Sequence, residues 1–257
     1  LVVLVVWWFM ISDRPQEAHW LPARERDYLV TTLAAERAAK QAEAPVSKAP
    51  VKDVFGNAGL MKLVILNFFY QTGDYGYTLW LPTILKGLTG GNMASVGFLA
   101  VLPFVATLAG IYVISLFSDH SGKRRLWVRF SLYSFAAALV ASVVLRDQMV
   151  AAYIALVICG FFLKSATSPF WSMPGRIASP EVAGSARGVI NGLGNLGGFC
   201  GPYLVGVMMY LYGQNVAVCA LAGSLIIAGT MTFLLPKQCD LVDSDSDVAI
   251  KNQPRNA

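Results

Sequence analysis

The chain has 257 residues, 56% of them hydrophobic and 14% charged, with a net charge of +5. Soluble domains carry about 25% charged residues, so a soluble globular protein is excluded, and the charge follows membrane sidedness rather than marking a nucleic-acid partner. Two histidines, His19 and His120, and four scattered cysteines, Cys159, Cys200, Cys219 and Cys239, show no metal-ligand spacing, so no metal and no cofactor is expected.

Leu1 to Ile11 is apolar but covers roughly half a bilayer at ~1.5 Å per residue. With no basic stretch ahead of it and no small-residue cleavage site, it is not a signal peptide. It is expected to be the end of a membrane helix whose beginning is missing. Residues 12–58 read as a cytoplasmic loop. Within it Pro22 can open a short helix at Ala23, with Leu29 and Leu33 on one face and Arg24, Glu25, Arg26, Glu36 and Arg37 on the others. Ala44 to Pro50, with prolines at both ends of Val46 to Ala49, reads as an extended linker.

From residue 59 to 236 short polar breaks divide six apolar segments: Leu60 to Leu85, Val96 to Phe117, Leu126 to Leu145, Met149 to Phe170, Ala186 to Tyr212 and Val216 to Leu235. A helix needs about 20 apolar residues to cross a bilayer, whereas a membrane strand is shorter and alternates polar with apolar residues. The expected fold class is therefore an all-α membrane protein with six transmembrane helices, closed by a cytoplasmic tail over 237–257. With Asp13 in the cytoplasm, 17 of the 20 Lys and Arg residues fall on the inner side, Lys86 and Arg146 outside, and Lys164 within a span. That asymmetry places both the loop and the tail in the cytoplasm.

Polar residues at membrane depth need partners away from lipid, so their spacing points to function. Asn67, Gln71, Asp74, Tyr75 and Thr78 fall on one face of the first span and are expected to line a cavity. Asp74 can bind a proton or a substrate hydroxyl if it lies deep, or stay wet and passive if it lies at the outer mouth. In the fifth span Arg187, Asn191 and Asn195 repeat every four residues among six glycines that permit close helix approach. An asparagine amide offers donors and an acceptor to a hydroxy acid, the alternative being an interhelical hydrogen bond. Lys164, Ser168, Trp171 and Ser172 give the fourth span a polar face. An ammonium beside an indole can hold a carboxylate, and the alternative is a lysine reaching toward the interface. Gly192 to Gly197 matches the GxGxxG pattern, but no strand precedes it and no βαβ unit surrounds it, so a dinucleotide site is rejected.

Asp13-Arg14-Pro15, Trp20-Leu21 and Arg24-Glu25 resemble the central loop of the anion:cation symporter family of the major facilitator superfamily. Ser118 to Arg125 resembles the superfamily's loop motif between its eighth and ninth helices, with Ser115 and His120 departing from the common pattern. Trp80-Leu81-Pro82, Phe170-Trp171 with Pro174, and Gly194 to Phe199 with Gly201-Pro202-Tyr203 resemble that family's tartrate, aldonate and aromatic-acid carriers. The resemblance implies helices 7 to 12 of a twelve-helix carrier. It also implies that the missing amino-terminal six-helix half holds the proton-coupling carboxylates and the main anion-binding arginine, so the chain alone is not expected to transport.

On this resemblance Asn195 belongs to the substrate cavity, joined by Asn191, Gln71, Asp74, Tyr75, Trp171 and Lys164 from the helix-face readings. Asp119, Gly122, Lys123, Arg124 and Arg125 form a gating motif, or serve only to anchor topology. The expected activity is not enzymatic, since no span holds a histidine or a nucleophile–base constellation. It is proton-coupled uptake of a small organic anion, a sugar acid or a hydroxy-dicarboxylate such as tartrate, across the inner membrane by alternating access. A non-transporting membrane sensor and a carrier of a different solute are the other readings.

Overall fold

The computed structural model describes residues 15–18, 20–43, 51–178 and 182–240, together with Trp7 and Ser12. The expected helix end over 1–11 (Trp7 apart), the linker Ala44 to Pro50 and the tail beyond Asp240 lie outside the described residues. All regular elements among the described residues are helical.

The chain divides into two compact units, residues 1–48 and 49–257. In the first, a 3₁₀ turn, Pro15–Glu17, precedes helix α1, Ala23–Glu43. Pro22 stands just before α1 and its carbonyl accepts the Arg26 N–H at 3.0 Å, a place where a residue without an N–H costs the helix nothing.

The second unit contains α2 (Val51–Gly56), α3 (Ala58–Thr89), α4 (Met93–Ser121), α5 (Arg124–Val144), α6 (Met149–Leu163), α7 (Thr167–Trp171), α8 (Pro174–Ile177), α9 (Ala183–Tyr212) and α10 (Gln214–Met231). Asn57 caps α3 by accepting from the Gly59 and Leu60 N–H groups, and Asn92 caps α4 through Ser95 N–H. Four segments are long and apolar enough to cross a membrane: Ala94–Ser121, Arg124–Val144, Met149–Ile177 and Gln214–Leu234. Helices α3 and α9 are longer than needed, at 32 and 30 residues, but polar and charged side chains interrupt them.

The fourth apolar segment is not one continuous helix, as its composition suggests, but three. Residues 164–166 form a turn between α6 and α7. Pro169 explains the break, because it has no N–H to offer the Ser165 carbonyl and its ring crowds that turn; Pro174 then opens α8. Side chains take up carbonyls at the end of α6: Tyr70 O–H donates to Leu163 at 2.9 Å, and Thr107 O–H donates to Gly160 at 2.8 Å.

Helices α3 and α9 pair more extensively than any other two elements. The reason is the glycine stripe on α9. A Cβ on Gly197 or Gly201 would run into the Phe68 or Thr72 carbonyl of α3, and one on Gly194 would run into the Asn67 amide. Only glycine lets the two backbones approach so closely. Leu221 and Leu225 of α10 fill the notches at Gly76 and Gly73 on another face of α3. These contacts fix α3 rigidly, and with it the polar side chains at its midpoint.

Candidate functional site

Asp74 stands at the middle of α3, 16 residues after Ala58 and 15 before Thr89. Its carboxylate is buried, 2% exposed, and its Oδ2 accepts from Lys164 Nζ at 2.7 Å. Lys164 comes from the turn that breaks the fourth segment, and its side chain is 37% exposed. The two residues thus meet across two elements at mid-helix depth, with the cation on the open side and the anion behind it. Asp74 Oδ1 has no hydrogen-bond partner. The Tyr75 ring, 39% exposed, lies 5.6 Å from Lys164 Nζ, within cation–π range.

One turn before Asp74, Gln71 Nε2 donates to Asn195 Oδ1 at 2.6 Å, and Asn195 Nδ2 donates to Asn191 Oδ1 at 2.8 Å. This row of three amides runs from α3 across α9. Asn191 is exposed, and Gln71 and Asn195 are partly so. Gly198, three residues after Asn195 on α9, lies against the Tyr75 ring, which sets that ring beside the helix that carries the amide row. Of the seven expected binding residues, six therefore form one patch: Asn195, Asn191, Gln71, Asp74, Tyr75 and Lys164. Trp171 sits beyond the break, edge-on to Phe170 with centroids 5.3 Å apart, and forms no hydrogen bond to the patch. The turn at 164–166 interrupts the regular spacing that would have set Trp171 and Lys164 on one face. Asn67 is buried and donates to the Ile190 carbonyl at 3.0 Å, so it fastens α3 to α9 rather than lining an opening.

At the other candidate site, Gly122 adopts the left-handed conformation, φ +67°, that ends α4, and its N–H donates to the Ser118 carbonyl. Asp119 is 70% exposed and its oxygen is 4.0 Å from Arg124 Nη2, a weak contact. Lys123 is exposed at the start of α5. Arg125 instead binds Asp240, with Nε and Nη2 each 2.7 Å from Oδ2 and the backbone N–H 2.9 Å from Oδ1. Its Nη1 also donates to the Leu235 carbonyl at 2.9 Å. Sequence reasoning missed Asp240, since an aspartate in a charged tail carries no signal of a partner. It also missed Tyr70, whose hydroxyl bonds Leu163 and Thr167 beside Lys164.

The profile of the Major Facilitator Superfamily matches residues 1–202. The chain belongs to that superfamily. Two Agrobacterium vitis proteins named "Putative tartrate transporter" are 30% and 29% identical to it, over 92% of this chain and 52% and 54% of theirs. The inner membrane transport protein RhmT of Escherichia coli K12 is 29% identical over 85% of this chain and 51% of its own, and a quinolone resistance transporter of Acinetobacter baumannii 28% over 80% and 47%. The chain spans about half the length of these relatives. With superfamily membership and four helical segments apolar enough to cross a bilayer, this is a multi-pass membrane protein of a transporter family.

Proposed function

We propose that this chain forms the second half of a twelve-helix carrier, residing in the inner membrane, that takes up a small organic anion together with protons by alternating access. On this reading six segments cross the bilayer: α3, α4, α5, the broken α6–α8, α9 and α10. The central loop and the tail face the cytoplasm. The reading is supported above all by the joined patch at mid-helix depth, where an amide row lies next to an ammonium. Amides suit the hydroxyls of a sugar acid or hydroxy-dicarboxylate, and the ammonium suits its carboxylate. Carriers of this kind bind cargo near the bilayer midplane between two rocking halves, and this patch supplies one wall. Tyr75 and Trp171 add aromatic surface, and the relatives named for tartrate carry the choice of cargo class. Asp119, Gly122, Lys123, Arg124 and Arg125 gate the cytoplasmic side in this scheme.

The test is uptake of radiolabelled tartrate, aldonates and aromatic acids by cells producing the full carrier, with and without a protonophore. Protonophore-sensitive uptake of one acid is expected, reduced by about tenfold or more in Asn195→Ala at equal membrane levels, as removal of a polar anchor to a buried ligand implies. No uptake of any acid by a well-expressed carrier would move the assignment to another solute.

A further inference from the structure

The unusual feature of the patch is the incomplete satisfaction of its one buried carboxylate. Asp74 has a single polar contact, to Lys164, and its second oxygen is buried without a partner. Lys164, in contrast, has a partly exposed side chain, as have Tyr75, Asn195 and Asn191, and its ammonium lies 5.6 Å from the Tyr75 ring. An acid arriving from the exposed side meets the ammonium before it meets the aspartate. Because the Lys164 backbone lies in the α6–α7 turn rather than inside a helix, side-chain rotation suffices to carry Nζ from one carboxylate to another.

We propose that Asp74 and Lys164 form a displaced-carboxylate proton site: a cargo carboxylate takes Lys164 Nζ from Asp74, and the released Asp74 binds the co-transported proton. The inference rests on the organic-anion carrier reading. It places a coupled proton site in this half, where the sequence allowed Asp74 a proton, whereas the family resemblance implied coupling carboxylates in the other half.

Charge balance gives the coupling. Before loading, the ammonium and the Asp74 carboxylate sum to zero. After loading, the ammonium and the one cargo carboxylate that it binds sum to zero at this pair, a second carboxylate of a dianion such as tartrate being left to the other half of the carrier. Asp74, having taken a proton from the bulk solution onto one of its oxygens, is then a neutral acid. Cargo without the proton leaves a net negative charge in a low-dielectric site, and the proton without cargo leaves a net positive one. Both are costly at membrane depth. Neither ligand therefore binds well without the other. The freed Asp74 O–H also has a local use, since a protonated acid donates where a carboxylate only accepts.

The groups that face Asp74 are consistent with this role. Lys164 is the charged partner, and Tyr70 and Tyr75 are the titratable neighbours from α3 itself. Helix α9 presents Gly194, Gly197 and Gly198 to α3, and α10 presents Leu221 and Leu225. Helix α7 contributes the Thr167 hydroxyl. Cys159 and Tyr153 of α6 are titratable, with the Tyr153 O–H engaged by the Leu99 carbonyl of α4. Arg176 of α8 and Arg187 of α9 lie toward the far end of α3, where Ile177 packs on Gly59. No second carboxylate among the described residues competes for Lys164.

The experiment uses the full carrier in proteoliposomes with tartrate and galactarate as probes, and two assays. One is counterflow exchange without a gradient, and the other is accumulation driven by an imposed pH gradient. Asp74→Asn is expected to uncouple the two assays: whatever its effect on exchange itself, the ratio of gradient-driven accumulation to exchange falls by about tenfold or more, and the pH dependence of exchange flattens. Lys164→Gln is expected to raise the half-saturation concentration by about tenfold or more, since the cargo carboxylate loses its counter-ion. Gradient-driven accumulation by Asp74→Asn at the level of the unsubstituted carrier overturns the proposal. So does full accumulation by the Asp74→Asn/Lys164→Gln pair, which would make the contact purely structural. If Asp74→Asn does not reach the membrane, an unchanged half-saturation concentration in Lys164→Gln overturns it from the other side. A carrier that, unsubstituted, exchanges neither acid defeats the organic-anion reading itself, which is a different result from variants failing alone.

Discussion

Two carboxylate–cation pairs hold this chain together at different depths, and they are built in opposite ways. At the end of the membrane-crossing helices, Arg125 and Asp240 share three close contacts, and the guanidinium also anchors the Leu235 carbonyl. Both partners are about one-fifth exposed. At mid-helix, Lys164 and Asp74 share one contact, with one partner buried and the other open. A planar guanidinium with several donors can saturate a carboxylate, while an ammonium on a flexible stem acts as a movable point charge. The first pair is therefore a clasp, closing the segment after α10 onto the start of α5. The second is under-satisfied in the one place where a ligand can supply what is missing.

Neutralising both members of each pair sharpens this contrast and has the largest expected effect. Arg125→Gln/Asp240→Asn loses hydrogen bonds to charged groups, including those to backbone atoms at Arg125 and Leu235, and is expected to lose about 2–4 kcal/mol. Asp74→Asn/Lys164→Gln removes a pair whose desolvation offsets most of its attraction, and is expected to stay within about 1 kcal/mol of the parent. Thermal unfolding in detergent measures both. Equal losses in the two double variants would erase the distinction between clasp and movable pair.

The helices were largely legible in the sequence because each apolar run is long and bounded by a short polar break, some of which prove to hold caps, as at Asn57, Asn92 and Gly122. The break at Lys164 was not, since Pro169 lies inside an apolar stretch whose hydropathy hides a single missing N–H. The members of the amide row were legible one helix at a time, from the periodicity of α3 and from the glycine stripe of α9, but not the bond that joins Gln71 to Asn195. Nor were other pairings between distant segments legible. Spacing along one helix cannot show that Lys164 reaches Asp74, that Arg125 reaches Asp240, or that Asn67 turns inward to Ile190.

Asp119 offers a smaller test of the same contrast. Its carboxylate is exposed and 4.0 Å from Arg124, so Asp119→Asn is expected to change stability by no more than about 0.5–1 kcal/mol. If the loop motif gates the cytoplasmic side, the same substitution lowers the uptake rate several-fold at unchanged membrane levels, a split that transport and melting measurements together resolve. A stability loss as large as that of the Arg125 variant would instead make Asp119 part of the clasp.

The smallest effect is also the most local. Cys239 is buried in the 3₁₀ turn Lys237–Cys239, directly before Asp240, and burial pushes its thiol up to about 11, opposed by the nearby Arg125 charge. At pH 8 only about 0.1% of such a thiol is thiolate, the form that reacts, and its sulfur is also shielded. Slow maleimide labelling of Cys239 in the intact protein is therefore expected, rising as pH climbs toward the thiol's raised value. Arg125→Gln removes the contacts that hold the turn in place, so opening exposes the sulfur, and the loss of burial brings the thiol back toward the ordinary range. Loss of the Arg125 charge, which had lowered the thiol, works against this, but burial is the larger cause, so labelling of Cys239 at pH 8 should still accelerate by about tenfold or more in that variant. Lys164→Gln, at the other pair, should leave the rate unchanged. Acceleration in both variants would mean that the two pairs communicate through the bundle, and that the clasp moves with the cargo site.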